Sequence, residues 1–193
     1  MRKRPQQARS EASVKAVVDA GAQVLGQGGW HTFTTNAVAK VAGVSIGTLY
    51  QYFPNKLALV EAIRRAHYQT VLDALAPLHD ATLSLAEQID ALVDNLALVH
   101  AGTPALHRAL LEEAPKFARS DHEDFERSFY AAFDTLIART RRKRSRDEIE
   151  AASFVTASAV VGVIHDAARD DQLRSPRLRN ELKALLRAYV EGR

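Results

Sequence analysis

Hydroxyl, amide and basic side chains are concentrated between residues 34 and 56. Hydroxyl and ammonium groups donate hydrogen bonds to phosphate oxygens, and a side-chain amide can bond to both donors and acceptors at the edge of a base. These residue types predict contact with a nucleic acid. The candidate residues of this kind are Thr35, Asn36, Thr48, Tyr50, Gln51, Tyr52 and Lys56.

Residues that enzymes use as nucleophiles or metal ligands are scarce. The chain has 0 Cys, so it has no disulfide, thiolate zinc site or cysteine nucleophile, and it has no phosphate-cradling glycine loop. His122 and Glu126, four residues apart, could hold a divalent ion, but an exposed charged group at a helix start is favoured. We predict that the protein is not an enzyme and uses no cofactor and no metal.

Capping residues predict the helices that carry the candidate donors. Apolar residues three and four apart from Ser10 to Gln27 predict a first helix, which the glycines at 26, 28 and 29 end. Thr34 is a predicted N-cap of a short helix over residues 35–41, flanked by a Phe33–Val38 hydrophobic staple.

A second short helix follows a glycine turn at Gly43, with Ser45 as its predicted N-cap. Pro54 ends this helix, and Asn55 is a predicted N-cap of the next one. Two short helices joined by a glycine turn and crossed by a longer one predict a helix-turn-helix unit. The second short helix of such a unit can enter the major groove of DNA, which is about 12 Å wide.

The segment TTNAVAKVAGVSIGTLYQYFPNK, residues 34–56, resembles the DNA-binding domain of the TetR family of bacterial transcription repressors. With Gly28 before it and Leu59 after it, the resemblance covers about 50 residues and its spacing is specific. It implies a phosphate contact for Thr35 and a base contact for Asn36. It also implies groove contacts for Ser45, Ile46, Gly47, Thr48 and Tyr50, and backbone contacts for Tyr52 and Lys56. Ile46 departs from the polar residues of some members, and a core position is the alternative for Tyr50 and Tyr52.

The remaining chain shows helical spacing only, so we predict an all-α fold of about nine helices. A three-helix DNA-binding domain is expected over residues 1–55, and a larger helical domain for effector binding and dimerisation over residues 56–193. The later helices are predicted over residues 56–76, 83–101, 104–112, 118–142, 147–169 and 176–191.

Charge and apolar composition favour a cytoplasmic DNA-binding protein. Residues 1–56 carry 7 basic and 2 acidic side chains, whereas the remainder carries 19 and 21. The basic start has no apolar segment after it, and the run Ala151–Ile164 is shorter than the ~18 residues of a membrane span, so no membrane is expected. Two groups of basic residues each have two possible interpretations. A DNA-binding arm or a solvated tail is possible for Arg2, Lys3, Arg4 and Arg9. A nucleic-acid patch or a solvated helix end is possible for the arginine-rich run 139–146.

The resemblance implies a homodimer and a small-molecule effector. For the effector, the composition favours an apolar or aromatic compound, with a plain core as the alternative for the candidate residues. Small and apolar residues on the last two helices suit a dimer face, with an intramolecular core as the alternative. The pocket candidates are His100, Phe117, Phe125, Phe129, Phe133 and His165. The dimerisation candidates are Ala152, Ala159, Leu178, Leu182, Leu185 and Tyr189.

The function expected from these features is a ligand-responsive repressor that binds a palindromic double-stranded DNA operator as a dimer and is released by a small molecule. An activator, a constitutive accessory factor, an enzyme and a purely structural dimer are the alternatives.

Overall fold

A computed structural model describes residues 8–114, 119–170 and 172–191. Within those ranges the chain forms nine α-helices and no strand, as the sequence predicts. The contacts divide it into two compact units. Unit one comprises the described residues of Met1–Tyr68 and Thr103–Arg119, and unit two those of Gln69–Gly102 and Ser120–Arg193.

Helices in unit one are α1 (Ala8–Thr32), α2 (Thr35–Ala42), α3 (Ile46–Tyr52) and the first part of α4 (Lys56–Ala74). Helix α6 (Pro104–Arg108), which continues as a π-helical turn over Ala109–Glu113, also belongs to this unit. Unit two contains the end of α4, helices α5 (Leu85–Gly102), α7 (Arg119–Ala138), α8 (Arg146–Arg169) and α9 (Pro176–Glu191), and 3-10 turns at Ala76–His79 and Gln172–Arg174.

The predicted caps are confirmed. The Thr34 hydroxyl accepts from the Ala37 N–H at 3.1 Å, the Ser45 hydroxyl accepts from the Thr48 N–H at 3.0 Å, and Asn55 Oδ1 accepts from the Ala58 N–H at 2.8 Å. Gly43 ends α2 with φ of 67°, the left-handed region that glycine adopts without steric cost. Local sequence therefore determines where the short helices begin and end.

The break that the sequence predicts after Gln27 occurs at Gly29, the last of the three glycines. The helix continues to Thr32, and the backbone leaves helical geometry only at Gly29, with φ of 67°. Helix α7 also ends at Ala138, earlier than predicted. A single glycine in a helix costs about 1 kcal/mol, which packing of the flanking turns can offset.

Unit one has a core that extends beyond the predicted boundary at residue 55. Phe33, Leu49 and Phe53 are fully buried in one cluster with residues of α4 and of the segment 104–114. Because these residues share one apolar core, the first part of α4 and the segment 104–114 group with α1–α3. The members from outside the predicted domain are Leu59, Val60, Ile63, Leu106, Ala109, Leu110 and Ala114.

Unit two packs α5 against α8 and α9 around Leu96, Phe133 and Val160. Acidic residues of α5 bind basic residues of α9: Asp94 accepts from Arg179 at 3.1 Å and from Lys183 at 2.7 Å. Asp90 also pairs with Arg187. These ion pairs fix which face of α9 lies against α5.

Helix α8 is longer than the apolar run that the sequence shows. Its 24 residues make it, among the described residues, the one helix long and apolar enough to cross a membrane by length and composition. One such helix is weak evidence of a span, because a core helix of a soluble protein passes the same test. Eight residues of α8 are buried in this structure.

Replacing Gly43 by alanine is expected to destabilise the protein by about 1–2 kcal/mol, because a Cβ disfavours the left-handed conformation. Gly102→Ala is the matched control, since a Cβ there meets open space and Gly102 has no positive φ. Urea unfolding followed by circular dichroism measures both. Equal stability of the two variants would contradict the assigned turn.

Candidate nucleic-acid interface

Helices α2 and α3 present a continuous set of exposed polar residues. Asn36 on α2 is exposed, as are Ser45 at the α3 N-cap and Gly47 in its first turn. Ile46 and Tyr50 are 38% and 42% exposed. Groups of this kind at the start of a short helix match the way a recognition helix meets base edges with its N-terminal residues.

A hydrogen bond links α2 to α3 across this surface. The Thr35 hydroxyl and the Tyr50 hydroxyl lie 3.1 Å apart, and the Ser45 and Thr48 hydroxyls lie 2.8 Å apart. Each hydroxyl has one donor and two acceptor sites, so a bonded pair retains the capacity to bind a phosphate oxygen. The predicted residues of α2 and α3 therefore lie together, with Tyr52 as the exception.

Tyr52 does not lie on the exposed face predicted for it. Its side chain is 8% exposed and belongs to the unit-one core, and its hydroxyl shares a hydrogen bond of 2.6 Å with Ser10 of α1. Residues two apart on an α-helix point about 200° apart, so Tyr50 and Tyr52 cannot share a face. With Tyr50 exposed, Tyr52 is directed into the core.

Lys56 is half-buried at the start of α4. Its ammonium nitrogen donates to the Trp30 carbonyl oxygen at 2.9 Å and lies 3.6 Å from the centre of the Trp30 ring. Burial lowers the pKa of Lys56. Trp30 is thus the partner of a predicted DNA contact.

Sequence reasoning missed two residues that tie the segment 104–114 to unit one. The Glu113 carboxylate accepts from the Trp30 N–H at 2.9 Å. The Arg64 guanidinium, 4% exposed, pairs with Glu61 and donates to the carbonyl oxygens of Leu110 at 3.2 Å and Ala114 at 3.4 Å. Neither contact can be predicted from neighbouring residues in the sequence, because the bonded partners are 46 to 83 residues apart.

The pocket candidates that the structure describes lie in or beside the core of unit two. Phe133 is fully buried and Phe129 is 7% exposed, with ring centres 5.2 Å apart, and Phe125 packs beside Phe129 at 5.6 Å. His100 and His165 lie with ring centres 5.4 Å apart. Phe117 lies outside the described residues, as do Arg2, Lys3 and Arg4 of the predicted arm and the side chain of Arg9.

Two cavities of about 430 and 450 Å³ flank the arginine-rich run that follows α7. The first is lined by Arg142, Arg144 and apolar residues that include Val155 and Tyr189. Of the pocket candidates within the described residues, none lines either cavity. Within the run, Arg139 donates to the carbonyl oxygens of Asp80, Ala81 and Leu83 and so anchors the turn before α5.

The dimerisation candidates separate into two groups. Ala152 and Leu182 are buried in the unit-two core, Ala159 is half-buried, and Leu178 is partly buried against that core. Ala152 and Leu182 therefore belong to the intramolecular core, which was the alternative to a dimer face. Leu185 and Tyr189 are 54% and 43% exposed.

Two exposed apolar residues of α8 were absent from the predicted dimer face. Phe154 is 59% exposed and Val155 is 47% exposed. The sequence feature that could have identified them is the run Ala151–Ile164, which is apolar on both sides of the helix. A helix with one buried face is apolar on one side only.

The other two groups left open by the sequence form ordinary surface contacts. His122 Nε2 lies 3.4 Å from Glu126 Oε1, and both side chains are about half exposed. In α8, the Ser145 hydroxyl accepts from the Glu148 N–H at 3.3 Å, and Glu148 in turn accepts from the Ser145 N–H at 2.7 Å. This capping box fixes the end of the arginine-rich run.

Two protein-family models match the chain. Residues 17–63 match the family "Bacterial regulatory proteins, tetR family". Residues 84–189, more than half of the chain, match "Tetracyclin repressor-like, C-terminal domain". Between them the two matches include the whole of α2, α3, α5, α6, α7 and α8.

Similar proteins include regulators of known kind. The chain is 35% identical over 91 residues to the HTH-type transcriptional repressor KstR of Mycolicibacterium smegmatis, a match of 47% of this chain and 35% of that protein. It is 42% identical over 40 residues to the fatty acid metabolism regulator protein of Bacillus subtilis, 21% of each chain. The matches thus span about a third or less of these relatives.

A solved structure shares the fold over nearly the whole chain. The transcriptional regulator FadR of Bacillus subtilis, in complex with stearoyl-CoA, superimposes with a TM-score of 0.72 at 16% identity. The superposition covers 93% of this chain and 98% of that one.

Lowering the pH from about 6.5 to 4 is expected to destabilise unit two through its paired histidines. Burial, followed by the nearby His100 and Arg169, lowers the pKa of His165 to about 4, and burial also lowers the pKa of His100. A histidine in the unfolded chain titrates near 6.5, so between pH 6.5 and 4 the unfolded chain binds more protons than the folded one. The free energy of unfolding therefore decreases as the pH is lowered through this range.

Urea unfolding at pH 7, 6, 5 and 4 measures this effect. His165→Gln should unfold with a shallower pH dependence than the wild type, and His79→Gln, at an exposed position, is the control. An unchanged slope in His165→Gln would assign the pH dependence to other groups.

Proposed function

This chain belongs to the TetR family of bacterial regulatory proteins, and we propose that it is a ligand-responsive transcriptional repressor that binds operator DNA as a homodimer. The observation that carries the proposal is the capped helix-turn-helix of unit one. It holds the hydroxyls of Thr35 and Tyr50 within 3.1 Å of each other on an exposed face.

In the proposed complex, α3 enters the major groove and α2 lies across the DNA backbone. Thr35 binds a phosphate oxygen, while Asn36, Ser45, Thr48 and Tyr50 meet base edges in the groove and Ile46 contacts a thymine methyl group. Gly47 allows close approach of the α3 backbone to the bases. Lys56 contributes a further phosphate contact.

The dimer that we propose uses the exposed apolar face of α8 and α9. Phe154, Val155, Leu185 and Tyr189 supply its apolar surface, and the half-buried Ala159 allows close approach of α8 to its counterpart. Burying such side chains away from water stabilises association. A symmetric dimer would place two α3 helices one turn of DNA apart and so favour a palindromic operator.

The proposed effector is a small apolar or aromatic molecule that binds in unit two. The phenylalanines 125, 129 and 133 give that unit an aromatic interior, and His100 and His165 supply polar groups near its core. FadR of Bacillus subtilis, which shares the fold, binds stearoyl-CoA, so acyl thioesters are the first compounds to test. The effector would release DNA by binding one conformation more tightly than the other.

The protein is proposed to have no enzyme activity and to act in the cytoplasm. The members of its family regulate transcription, and its candidate donors suit DNA contact. Residues of unit one would read DNA, and those of unit two would bind the effector and the partner subunit.

Selection of random duplex DNA on the purified protein is expected to enrich a site with two symmetric halves. Tyr50→Phe and Thr35→Val each remove one hydroxyl and should weaken binding by about 0.5–1.5 kcal/mol per protomer. Thr135→Val removes a hydroxyl from α7 and is the matched control.

Titration of the enriched duplex in fluorescence anisotropy measures these affinities. An enriched palindrome with full binding by Thr135→Val supports the proposal. Absence of enrichment with and without acyl thioesters, or equal affinity of all variants, would contradict it.

Leu185→Asp is expected to shift the protein to monomers and to reduce its affinity for the palindrome, because a buried carboxylate in an apolar interface lacks a partner. Leu98→Asp, at a leucine of α5 that is 75% exposed, is the matched control and should leave the dimer intact. Sedimentation velocity measures both. Dissociation by Leu98→Asp rather than Leu185→Asp would place the interface elsewhere.

A further inference from the structure

Trp30 is the residue through which three parts of unit one meet. Its N–H donates to Glu113 in the π-helical turn at 2.9 Å, and its carbonyl oxygen accepts from Lys56 at the start of α4 at 2.9 Å. Its ring lies under the Lys56 ammonium at 3.6 Å and stacks on Phe33 at 6.1 Å. Trp30 therefore supplies the carbonyl oxygen and the nearer of two aromatic rings that contact the Lys56 ammonium, the other ring being Phe33 at 5.7 Å.

The Glu113 contact depends on the glycine before Trp30. A Cβ built on Gly29 would lie 2.6 Å from Glu113 Oε2, closer than a Cβ approaches another heavy atom, so with the carboxylate in this position only glycine leaves enough space. Gly29 also has φ of 67°. The kink in α1 thus turns the Trp30 N–H toward Glu113.

We propose that Trp30 is a positioning residue for DNA binding, which holds the Lys56 ammonium in place for a phosphate and is itself held by Glu113. This inference rests on the proposed function, since it requires that Lys56 meets DNA. An ammonium group has three N–H donors, so a bond to the Trp30 carbonyl leaves donors for a phosphate oxygen.

The physical gain is preorganisation. A lysine side chain has many accessible rotamers, and part of this freedom is lost whenever its ammonium is fixed on a ligand. Trp30 fixes it before DNA binds, through the ring and the carbonyl oxygen. Tryptophan is the aromatic residue that attracts a cation best, so smaller aromatics would hold Lys56 less firmly.

A double-mutant cycle on the full-length protein tests the inference. The probes are the duplex enriched on the wild type and a scrambled duplex of the same composition, each titrated at several salt concentrations. Lys56→Met should weaken binding to both duplexes and should reduce the slope of log affinity against log salt by about 0.9 per lost phosphate contact.

Trp30→Leu is expected to weaken binding about two- to fivefold per protomer, as a cation–π contact of 0.5–1 kcal/mol implies, and Trp30→Phe by less. Glu113→Ala should produce a smaller loss of the same kind. In the Lys56→Met background, neither Trp30→Leu nor Glu113→Ala should cause further loss. Thermal unfolding of each variant, followed by circular dichroism, identifies any variant that loses affinity by unfolding.

Trp30 also provides a spectroscopic readout, because it is the single tryptophan of the chain. DNA binding should change its emission in the wild type and not in Lys56→Met. If Trp30→Leu reduced the DNA affinity by the same factor in the wild type and in Lys56→Met, Trp30 would have a merely structural role and the inference would be overturned. An unchanged salt slope in Lys56→Met would also overturn it while leaving the proposed function intact, whereas a wild type that binds neither duplex would contradict the proposed function itself.

Discussion

The arrangement of unit one depends on the burial of a few large side chains from helices too short to be stable alone. Helices α2 and α3 have eight and seven residues, and isolated helices below about 12–15 residues are marginal in water. Phe33, Val38, Leu49 and Phe53 are fully buried in one cluster. Each such side chain contributes about 1.5–3 kcal/mol on burial, so the core holds the two helices in the orientation that exposes Thr35 and Tyr50.

The same core makes unit one discontinuous in sequence. The chain leaves it within α4, forms α5 in unit two, and returns at Thr103. Leu106 and Leu110 bury apolar surface there, while Arg64 binds the carbonyl oxygens of Leu110, within the π-helical turn, and of Ala114, just after it. A buried guanidinium requires such acceptors because it keeps its charge. The DNA-facing helices are thus supported by a segment that lies some 60 residues later in the chain.

In unit two, polar contacts decide which apolar residues remain exposed. The Asp94 pair with Arg179 and Lys183, and the Asp90 pair with Arg187, orient α9 against α5. Leu182 and Leu186 then enter the core, and Leu185 and Tyr189 stay outside it. An exposed apolar face of this kind on a helix suits association with another protein surface. In this unit, the proposed dimer face is therefore a consequence of how α9 is fixed.

Sequence alone determined the helical composition, the positions of the caps and the glycine turn, and the segment that resembles a DNA-binding domain. Each of these depends on neighbours within about four residues, so the local pattern contains the information. Tertiary structure decided the rest: that Tyr52 is buried while Tyr50 is exposed, that Lys56 lies on Trp30, that residues 103–114 belong with α1–α3, and that Leu182 is buried while Leu185 is exposed. These outcomes depend on packing between residues 26 to 89 positions apart, and a side chain capable of either burial or contact shows no local sign of which it will make.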